Sequence, residues 1–355
     1  MARSSTTSSS EARPRAGLAA VALCALLEMV IGSTQLFLNG VETVVDIKRG
    51  HLDAGEPDDV VIFGDSRFFS IPAEAVNEAL GGGLRVCNFS WPYMGVEADP
   101  LMLEGYLDHR PAPKLLIVGF GPEFIGLEEA RIRIDTWQVN RERAFTVIPT
   151  RTLVRFLVEQ RQWHMLYMLL EHRLMPPSVH HRKVILSRLR TWLWDWGRDP
   201  LDPADRRYIE GMRTQGWFLM ATDEEASEEV AVHLETYLGR VDVHPNAHAR
   251  AMAERFAQIA GERGIPVLVI EPPTPEAIHR LYEERGVLAE RERLLRSWED
   301  RWPTFRVAPP YARHLPNEQF GEMAHTNAAG NEVWIDMVRE ACAWYVREVG
   351  PVGAR

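Results

Sequence analysis

The sequence predicts a three-layer α/β/α fold, in which helices cover both faces of a parallel sheet, with a helical insertion and an N-terminal transmembrane helix. The first observation is that short, continuous apolar runs alternate with helical segments along the body of the chain. Continuous apolar strands are typical of parallel sheets, because such strands are buried on both faces. The second observation is an apolar segment of 22 residues near the start of the chain, which is long enough to cross a bilayer.

Four apolar runs are the predicted strands of the sheet, and helical patterns separate them. The strands are predicted at residues 60–63, 84–89, 115–118 and 265–270. The helices are predicted at 72–80, in a stretch that ends at 108, at 250–263 and at 328–347. Residues 127–246 interrupt the alternation with arginine-rich helical patterns and many tryptophans. We therefore expect one α/β domain over residues 58–347 that carries a helical insert.

Composition and charge exclude several classes of protein. The 355 residues include 50 acidic and 40 basic side chains, and the net charge of −10 disfavours a nucleic-acid partner. Three cysteines, none with metal-ligand spacing, exclude a disulfide framework and a zinc finger. His244 and His248 have the spacing of a metal pair on a helix, but Pro245 suits a first helical turn and no acidic third ligand is evident. We expect neither a metal nor a cofactor.

The N-terminal segment is predicted to anchor the protein in the cytoplasmic membrane. Residues 1–16 are rich in Ser, Thr and Arg and predict a disordered tail, and the apolar segment 17–38 follows. As a helix, 22 residues span roughly 33 Å, about the thickness of the bilayer core. A cleaved signal peptide and a buried core helix are the alternatives. Basic residues before the segment favour a cytoplasmic N-terminus and an extracytoplasmic, periplasmic body, joined to the anchor by a linker over 39–57 and ending in a tail over 348–355.

Two short motifs at opposite ends of the body carry residues suited to nucleophilic catalysis. The turn Gly64-Asp65-Ser66 follows the first predicted strand, and open α/β sheets place their ligand sites at the carboxyl ends of strands. His325 precedes the last predicted helix, and Glu322 stands three residues before it. A carboxylate can fix the tautomer of a histidine, whose other ring nitrogen then accepts a proton from a serine hydroxyl. The pattern predicts Ser66 as nucleophile, His325 as base and Glu322 as its orienting acid.

These motifs resemble the SGNH (GDSL-type) hydrolases. Val-Ile-Phe-Gly-Asp-Ser, which ends at Ser66, is similar to their first block, and Glu322-x-x-His325 with Asn327 and Gly330 is similar to their last block. The resemblance covers about residues 58–126 and 250–347, and it extends to bacterial membrane-anchored members that acylate cell-surface polymers. It implies a flavodoxin-like three-layer fold, a serine nucleophile with an acid–histidine pair, and esterase or O-acyltransferase chemistry.

The middle blocks depart from the family pattern. The second block keeps Asn88 and a later Gly95 at shifted spacing, so Gly95, Asn88 and the N–H of Ser66 are the expected oxyanion donors. The third block, usually Gly-x-Asn-Asp, begins at Gly119 and lacks the amide side chain. Loss of one oxyanion donor costs on the order of 10²–10³ in rate unless another group replaces it. Arg67 is an expected substrate contact.

The expected function is therefore hydrolysis or transfer of an O-acyl ester on a cell-envelope glycan. The implied partners are the membrane, an envelope polysaccharide, and an acyl donor or a membrane acyltransferase. A protein that keeps the fold without catalysis, and binds a glycan or a membrane partner, is the alternative. The insert leaves from the carboxyl end of the third strand, so we expect it to cover the mouth of the site.

Overall fold

A computed structural model gives the architecture of most of the body. It describes residues 12–33, 40–53, 57–91, 96, 98–121, 148–159, 161, 163–174, 185–186, 247–321 and 325–353. The helices in these ranges are α1 (Ala12–Ser33), α2 (Gly40–Asp53), α3 (Ala73–Ala79), α4 (Asp99–His109), α5 (Thr150–Glu159), α6 (Trp163–Leu174), α7 (Ala247–Glu262), α8 (Glu276–Glu284), α9 (Val287–Arg301) and α10 (Ala328–Val349).

The predicted parallel sheet is present and confirms the α/β class. Its strands are β1 (Val60–Phe63), β2 (Val86–Asn88), β3 (Leu115–Val118), β4 (Val267–Val269) and β6 (Phe305–Val307). They lie in the order β2-β1-β3-β4-β6, and every neighbouring pair is parallel. A separate pair joins β5 (Thr274–Pro275) to β7 (His314–Leu315). Because the five strands are parallel, the residues that follow each of them meet at one edge, which we call the carboxyl edge.

Apolar side chains fill a core on each face of this sheet. Alternate residues of β1 point to opposite sides, so Val61 and Phe63 join the core beneath α4 and α7, whereas Val60 and Ile62 join the core beneath α3 and α10. All four residues of β1 are fully buried. Burial on both faces is the physical reason why the strand is a continuous apolar run.

The prediction of a linker over residues 39–57 is wrong for the middle of that segment, where α2 forms part of the body. Leu52 of α2 is 2% exposed and belongs to the core on the α4 face. One turn earlier, Lys48 is also buried, and a charge at a core position obscures the amphipathic pattern in the sequence. The strand β6 was also not predicted, because it is a three-residue edge strand with Arg306 at its centre.

The N-terminal helix α1 begins at Ala12, so the predicted disordered tail over 1–16 is wrong for its last five residues. Residues 1–11 and 34–39 lie outside the described part of the chain. Within α1, the structure describes the side chains of residues 19–29. Among the residues whose side chains are described, no helix is long and apolar enough to cross a membrane.

The described parts of the insert pack against the α4 face. Thr152 of α5 donates a hydrogen bond from its hydroxyl to the Asp108 carboxylate of α4, at 2.6 Å, and Arg155 bonds Glu104 at 2.8 Å. Most of the insert lies outside the described residues, which within 127–246 are 148–159, 161, 163–174 and 185–186. Its expected place over the mouth of the site therefore stays a prediction.

Candidate active site

The turn after β1 presents Ser66 at the carboxyl edge of the sheet. Asp65 is the N-cap of a short 3₁₀ turn, Ser66–Phe68, and its carboxylate accepts the N–H of Arg67 at 2.9 Å. The turn folds tightly onto the sheet because Gly64 and Gly119 have no side chains. A Cβ on Gly119 would lie 2.6 Å from the ring of Phe68, and one on Gly64 would meet the same ring. These two glycines let Phe68 enter the core beneath Ser66.

Helix α10 holds the other side of this turn. The indole N–H of Trp334 donates to the Arg67 carbonyl at 3.1 Å, and the Trp334 and Phe68 rings meet edge to face at 5.6 Å between centroids. Both side chains are about 1% exposed. The serine turn is therefore fixed against the helix that follows the predicted histidine, although Arg67 and Trp334 are 267 positions apart in the sequence.

The loop that carries His325 is fixed at both ends. Phe320 and Thr326 form an antiparallel bridge, and the N–H of Gly321 donates to the His325 carbonyl at 3.0 Å. Asn327 caps α10 by accepting the N–H of Gly330 at 3.0 Å. Its amide also donates to the Glu318 carbonyl at 2.7 Å. Asn327 thus positions the histidine loop and starts the helix.

The two motifs meet in space. His325 Nε2 lies 2.7 Å from Ser66 Oγ, a hydrogen-bond distance, and both residues are half-buried at the carboxyl edge. This is the geometry that a histidine needs to take the proton of a serine hydroxyl as the oxygen attacks an electrophile. The predicted approach of Ser66 and His325 is present, and their partial exposure leaves the pair accessible to a ligand.

Two other predicted site residues have structural roles. The amide of Asn88 donates to the carbonyls of Phe68 and Ile71, at 2.8 and 3.1 Å, so it has no N–H left for an oxyanion. The guanidinium of Arg67 is 7% exposed and makes an ion pair with Asp65 at 2.6 Å, rather than facing a substrate. Gly95 and Glu322 lie outside the described residues, so their predicted roles stay predictions.

One predicted oxyanion donor remains at the edge. Within the described part of the chain, the N–H of Ser66 has no acceptor, and it lies beside the hydroxyl that would attack. In the third block, the N–H groups of Phe120 and Gly121 donate instead to the carboxylate of Glu271, at 3.3 and 2.8 Å. Glu271 lies two residues after β4, and its bonds join the ends of β3 and β4.

Two buried acids behind the serine turn were not found from the sequence. Glu271 is 4% exposed, and Asp99, the first residue of α4, is 2% exposed. One carboxylate oxygen of Asp99 has no hydrogen-bond partner among the described residues. Burial, and then the charges of Asp65 and Glu271, raise the pKa of Asp99 well above its usual value. Asp99 therefore favours its protonated form more strongly than an exposed aspartate does. The only sequence signal was an acid at a helix start, which is commonplace.

The opposite edge of the sheet holds the one group of residues in the described chain whose spacing could suit a metal. Donor atoms of His51, Asp58 and Cys87 lie within 4.8 Å of one another. Asp58 already binds His51 at 3.0 Å and accepts the Tyr106 hydroxyl at 2.9 Å. Burial raises the pKa of the Cys87 thiol to about 12, which keeps it protonated. The guanidinium of Arg85, 3.6 Å from Asp58, also disfavours a cation there, so this group is better described as an ion-pair network.

Comparison with known proteins leaves the family open. No protein-family model matches the chain, and no curated protein matches it. The interpretation of the site therefore depends on its own geometry.

Proposed function

We propose that this protein is a membrane-anchored, extracytoplasmic serine esterase or O-acyltransferase of the SGNH-like type, which acts on an ester of a cell-envelope glycan. The observation that carries the proposal is the 2.7 Å contact between His325 Nε2 and Ser66 Oγ at the carboxyl edge of a parallel sheet. Residues 259 positions apart meet there because Trp334 and Asn327 fix the two loops. The strand order 2-1-3-4-6, with the nucleophile after the first strand, supports the same assignment.

The chemistry follows the usual course of a serine–histidine pair. The Ser66 oxygen attacks the acyl carbonyl as its proton passes to His325 Nε2, and the N–H of Ser66 stabilises the oxyanion. His325 then returns this proton to the departing alcohol, which leaves an acyl group on Ser66. Water or a glycan hydroxyl attacks the acyl-enzyme, giving its proton to His325, and Ser66 Oγ takes it back as it leaves. In this scheme Glu322 orients His325.

The membrane part of the proposal rests on the N-terminal helix. Helix α1 is 22 residues long, and its described apolar side chains face outward. The exposed fraction of each lies between 51% and 68% for Val21, Leu23, Leu26, Leu27 and Met29. Apolar side chains that find no partner in the folded body are typical of a lipid-facing helix. Basic residues lie before this helix, which favours a cytoplasmic N-terminus and a periplasmic body.

A non-catalytic binding protein is the second candidate, and one observation favours it. Where SGNH hydrolases have an oxyanion-binding asparagine in the third block, this chain has Gly121, whose N–H is already bonded to Glu271. With only the Ser66 N–H in place among the described donors, the site has less oxyanion stabilisation than the family pattern provides. A binding protein would keep the cleft and lack turnover.

Covalent labelling separates the two candidates. We expect a fluorophosphonate probe to label the full-length protein at Ser66, because the hydroxyl is hydrogen-bonded to its base. Ser66→Ala should abolish the label, whereas Ser297→Ala should retain it, since Ser297 bonds a carbonyl within its own helix and lies outside the site. Absence of label in folded wild-type protein, or equal labelling of the Ser66→Ala variant, would refute the serine chemistry and favour the binding protein.

A further inference from the structure

The direction of α2 indicates at which edge of the sheet the chain arrives from the N-terminal helix α1. Near the middle of α2, the ammonium of Lys48 donates to the carbonyls of Asn88 and Ser90, at and just beyond the carboxyl end of β2. One turn later, His51 bonds Asp58, which precedes β1 at the opposite edge of the sheet. Helix α2 therefore runs antiparallel to the strands, and its first residue lies on the side of the carboxyl edge.

Lys48 fixes this direction firmly. Its ammonium lies over the rings of Phe69, Phe89 and Trp91, at 5.2–5.7 Å from their centroids, and the side chain is buried. Phe69 directly follows the 3₁₀ turn of the nucleophile. Through Lys48 and Phe69, α2 is thus held against the turn that presents Ser66.

Helix geometry gives the distance from this point to the start of α2. Eight residues separate Gly40 from Lys48, which is about 12 Å of helix axis. The start of α2 therefore projects past the carboxyl edge. The six residues 34–39 connect it to α1 and span at most about 22 Å when fully extended. The chain must enter the body from α1 on the side of Ser66 and His325.

We propose that the catalytic edge faces the membrane surface, so that the site takes an ester carried by the membrane, on a lipid or a lipid-linked glycan, rather than a freely soluble ester. This inference rests on the proposed anchor and on the proposed serine chemistry. An anchor attached at the opposite edge would hold the site away from the bilayer by the depth of the domain. Attached at this edge, it holds the nucleophile within reach of headgroups.

Fluorescence energy transfer to labelled lipid measures this placement without using activity. Exposed Cys24 is replaced by serine in the full-length protein, whereas Cys87 and Cys342 can stay, because burial raises the pKa of each thiol to about 12. One variant carries Glu318→Cys. This position lies near His325, because the backbone carbonyl of residue 318 accepts a hydrogen bond from the Asn327 amide. Its matched control carries Ala112→Cys, an exposed position between α4 and β3 at the opposite edge.

Both variants are reconstituted into phosphatidylcholine vesicles that contain an acceptor dye on the lipid headgroup. We expect several-fold higher transfer from the label at Glu318 than from the label at Ala112. Equal transfer, or higher transfer from Ala112, overturns the proposed placement, and so does failure of the protein to remain with the vesicles. Adding Ser66→Ala should leave both values unchanged, so a failure of the serine chemistry is distinguishable from a failure of the placement.

The substrate class has its own readout. The same fluorogenic short-chain ester is offered to the reconstituted full-length protein in two forms, attached to a lipid headgroup in the vesicles or free in solution. At equal total concentration we expect several-fold faster release from the lipid-borne ester, and no release by Ser66→Ala. Equal or faster release from the soluble ester contradicts the membrane-borne substrate while leaving the esterase activity established.

Discussion

The carboxyl edge and the amino edge of the sheet both gather buried ionisable side chains, but they neutralise them in opposite ways. At the amino edge, Asp58 is 2% exposed and meets His51 and Tyr106 through hydrogen bonds and Arg85 through an ion pair. Burial alone would raise the pKa of Asp58, but the hydrogen bond and charge of His51, the Tyr106 hydroxyl and the charge of Arg110 lower it overall. At the carboxyl edge, Asp99 is equally buried, and this burial, followed by the charges of Asp65 and Glu271, raises its pKa.

The difference separates a stabilising network from a site. A carboxylate with a lowered pKa and several partners contributes to folding stability. A carboxyl group with a raised pKa and an unsatisfied oxygen costs stability, and such groups concentrate where chemistry takes place. Ser66 and His325 lie at the edge that bears this cost. The following predictions test the comparison by changing one edge at a time.

The largest effect is expected on catalysis at the carboxyl edge. Ser66→Ala or His325→Gln should lower ester turnover by roughly 10⁴-fold or more, because the nucleophile and its base act as a unit. Since both side chains are half-buried, the free energy of unfolding should change by less than about 1 kcal/mol. Turnover and urea unfolding, measured on the same preparations, check both statements. A variant that loses turnover only because it unfolds would contradict the assignment.

The amino edge should show the reverse pattern, with lost stability and retained turnover. Asp58→Ala leaves the Tyr106 hydroxyl without its carboxylate acceptor and removes a partner of His51, so we expect a loss of about 1–3 kcal/mol in the free energy of unfolding. Asp59→Ala is the control and should cost less, because Asp59 is more exposed and pairs with the half-exposed Lys114.

The pH dependence of this stabilisation has a definite sign. The pKa of Asp58 is lower in the folded protein than in the unfolded chain, so the stabilisation is complete at neutral pH. It is lost as the pH falls below about 4, the ordinary range for an aspartate. Urea unfolding at pH 7 and at pH 3 should therefore show a smaller difference between wild type and Asp58→Ala at the lower pH. An undiminished difference at pH 3 would mean that packing, and not charge, accounts for the loss.

The next effect is a gain of stability at the carboxyl edge. Asp99→Asn keeps the shape of the side chain and removes the ionisation. In the wild type the folded state retains a proton that the unfolded chain releases above about pH 4, so stability falls as the pH rises. The variant should gain at least about 1 kcal/mol at pH 8 and little at pH 4.

Thermal unfolding of Asp99→Asn at the two pH values tests this sign. Asp108→Asn, on the exposed end of the same helix, is the control and should show no gain that grows with pH. A wild-type stability that does not fall between pH 4 and pH 8 relative to Asp99→Asn would contradict the raised pKa of Asp99.

The sequence predicted the parts of this molecule that depend on local pattern. The strands β1 and β3 are four-residue apolar runs, and Ser66 and His325 stand in recognisable turns before helices. Tertiary contacts determine the rest. Glu271 binds N–H groups 150 residues away, and no local pattern marks such a contact.

Helix α2 was missed for a related reason. A lysine at a core position is unfavourable on every hydropathy scale, so the surrounding pattern resembles a linker. Lys48 is buried only because three aromatic rings and two backbone carbonyls surround its ammonium. These groups lie at or just beyond the carboxyl ends of β1 and β2. Knowledge of the sheet is therefore needed before this helix can be placed.

Lys48 also gives the smallest expected effect, because opposing contributions act on it. Burial lowers the pKa of Lys48 to about 7, whereas the aromatic faces favour the charged form. Lys48→Met keeps the apolar contacts and loses the two hydrogen bonds to carbonyls, so the free energy of unfolding at pH 7 should change by no more than about 2 kcal/mol.

The pH dependence of stability isolates the titration of Lys48 from these other contributions. Between about pH 7 and pH 10.5 the unfolded chain holds a proton that the folded protein has released, so wild-type stability should rise with pH across this window. Lys48→Met should remove that rise, and Lys114→Met, which changes a half-exposed lysine, should retain it. Urea unfolding at pH 7 and pH 9.5 provides the measurement. An unchanged slope in Lys48→Met would mean that the three rings keep Lys48 charged throughout, and that a cation holds α2 to the carboxyl edge at every physiological pH.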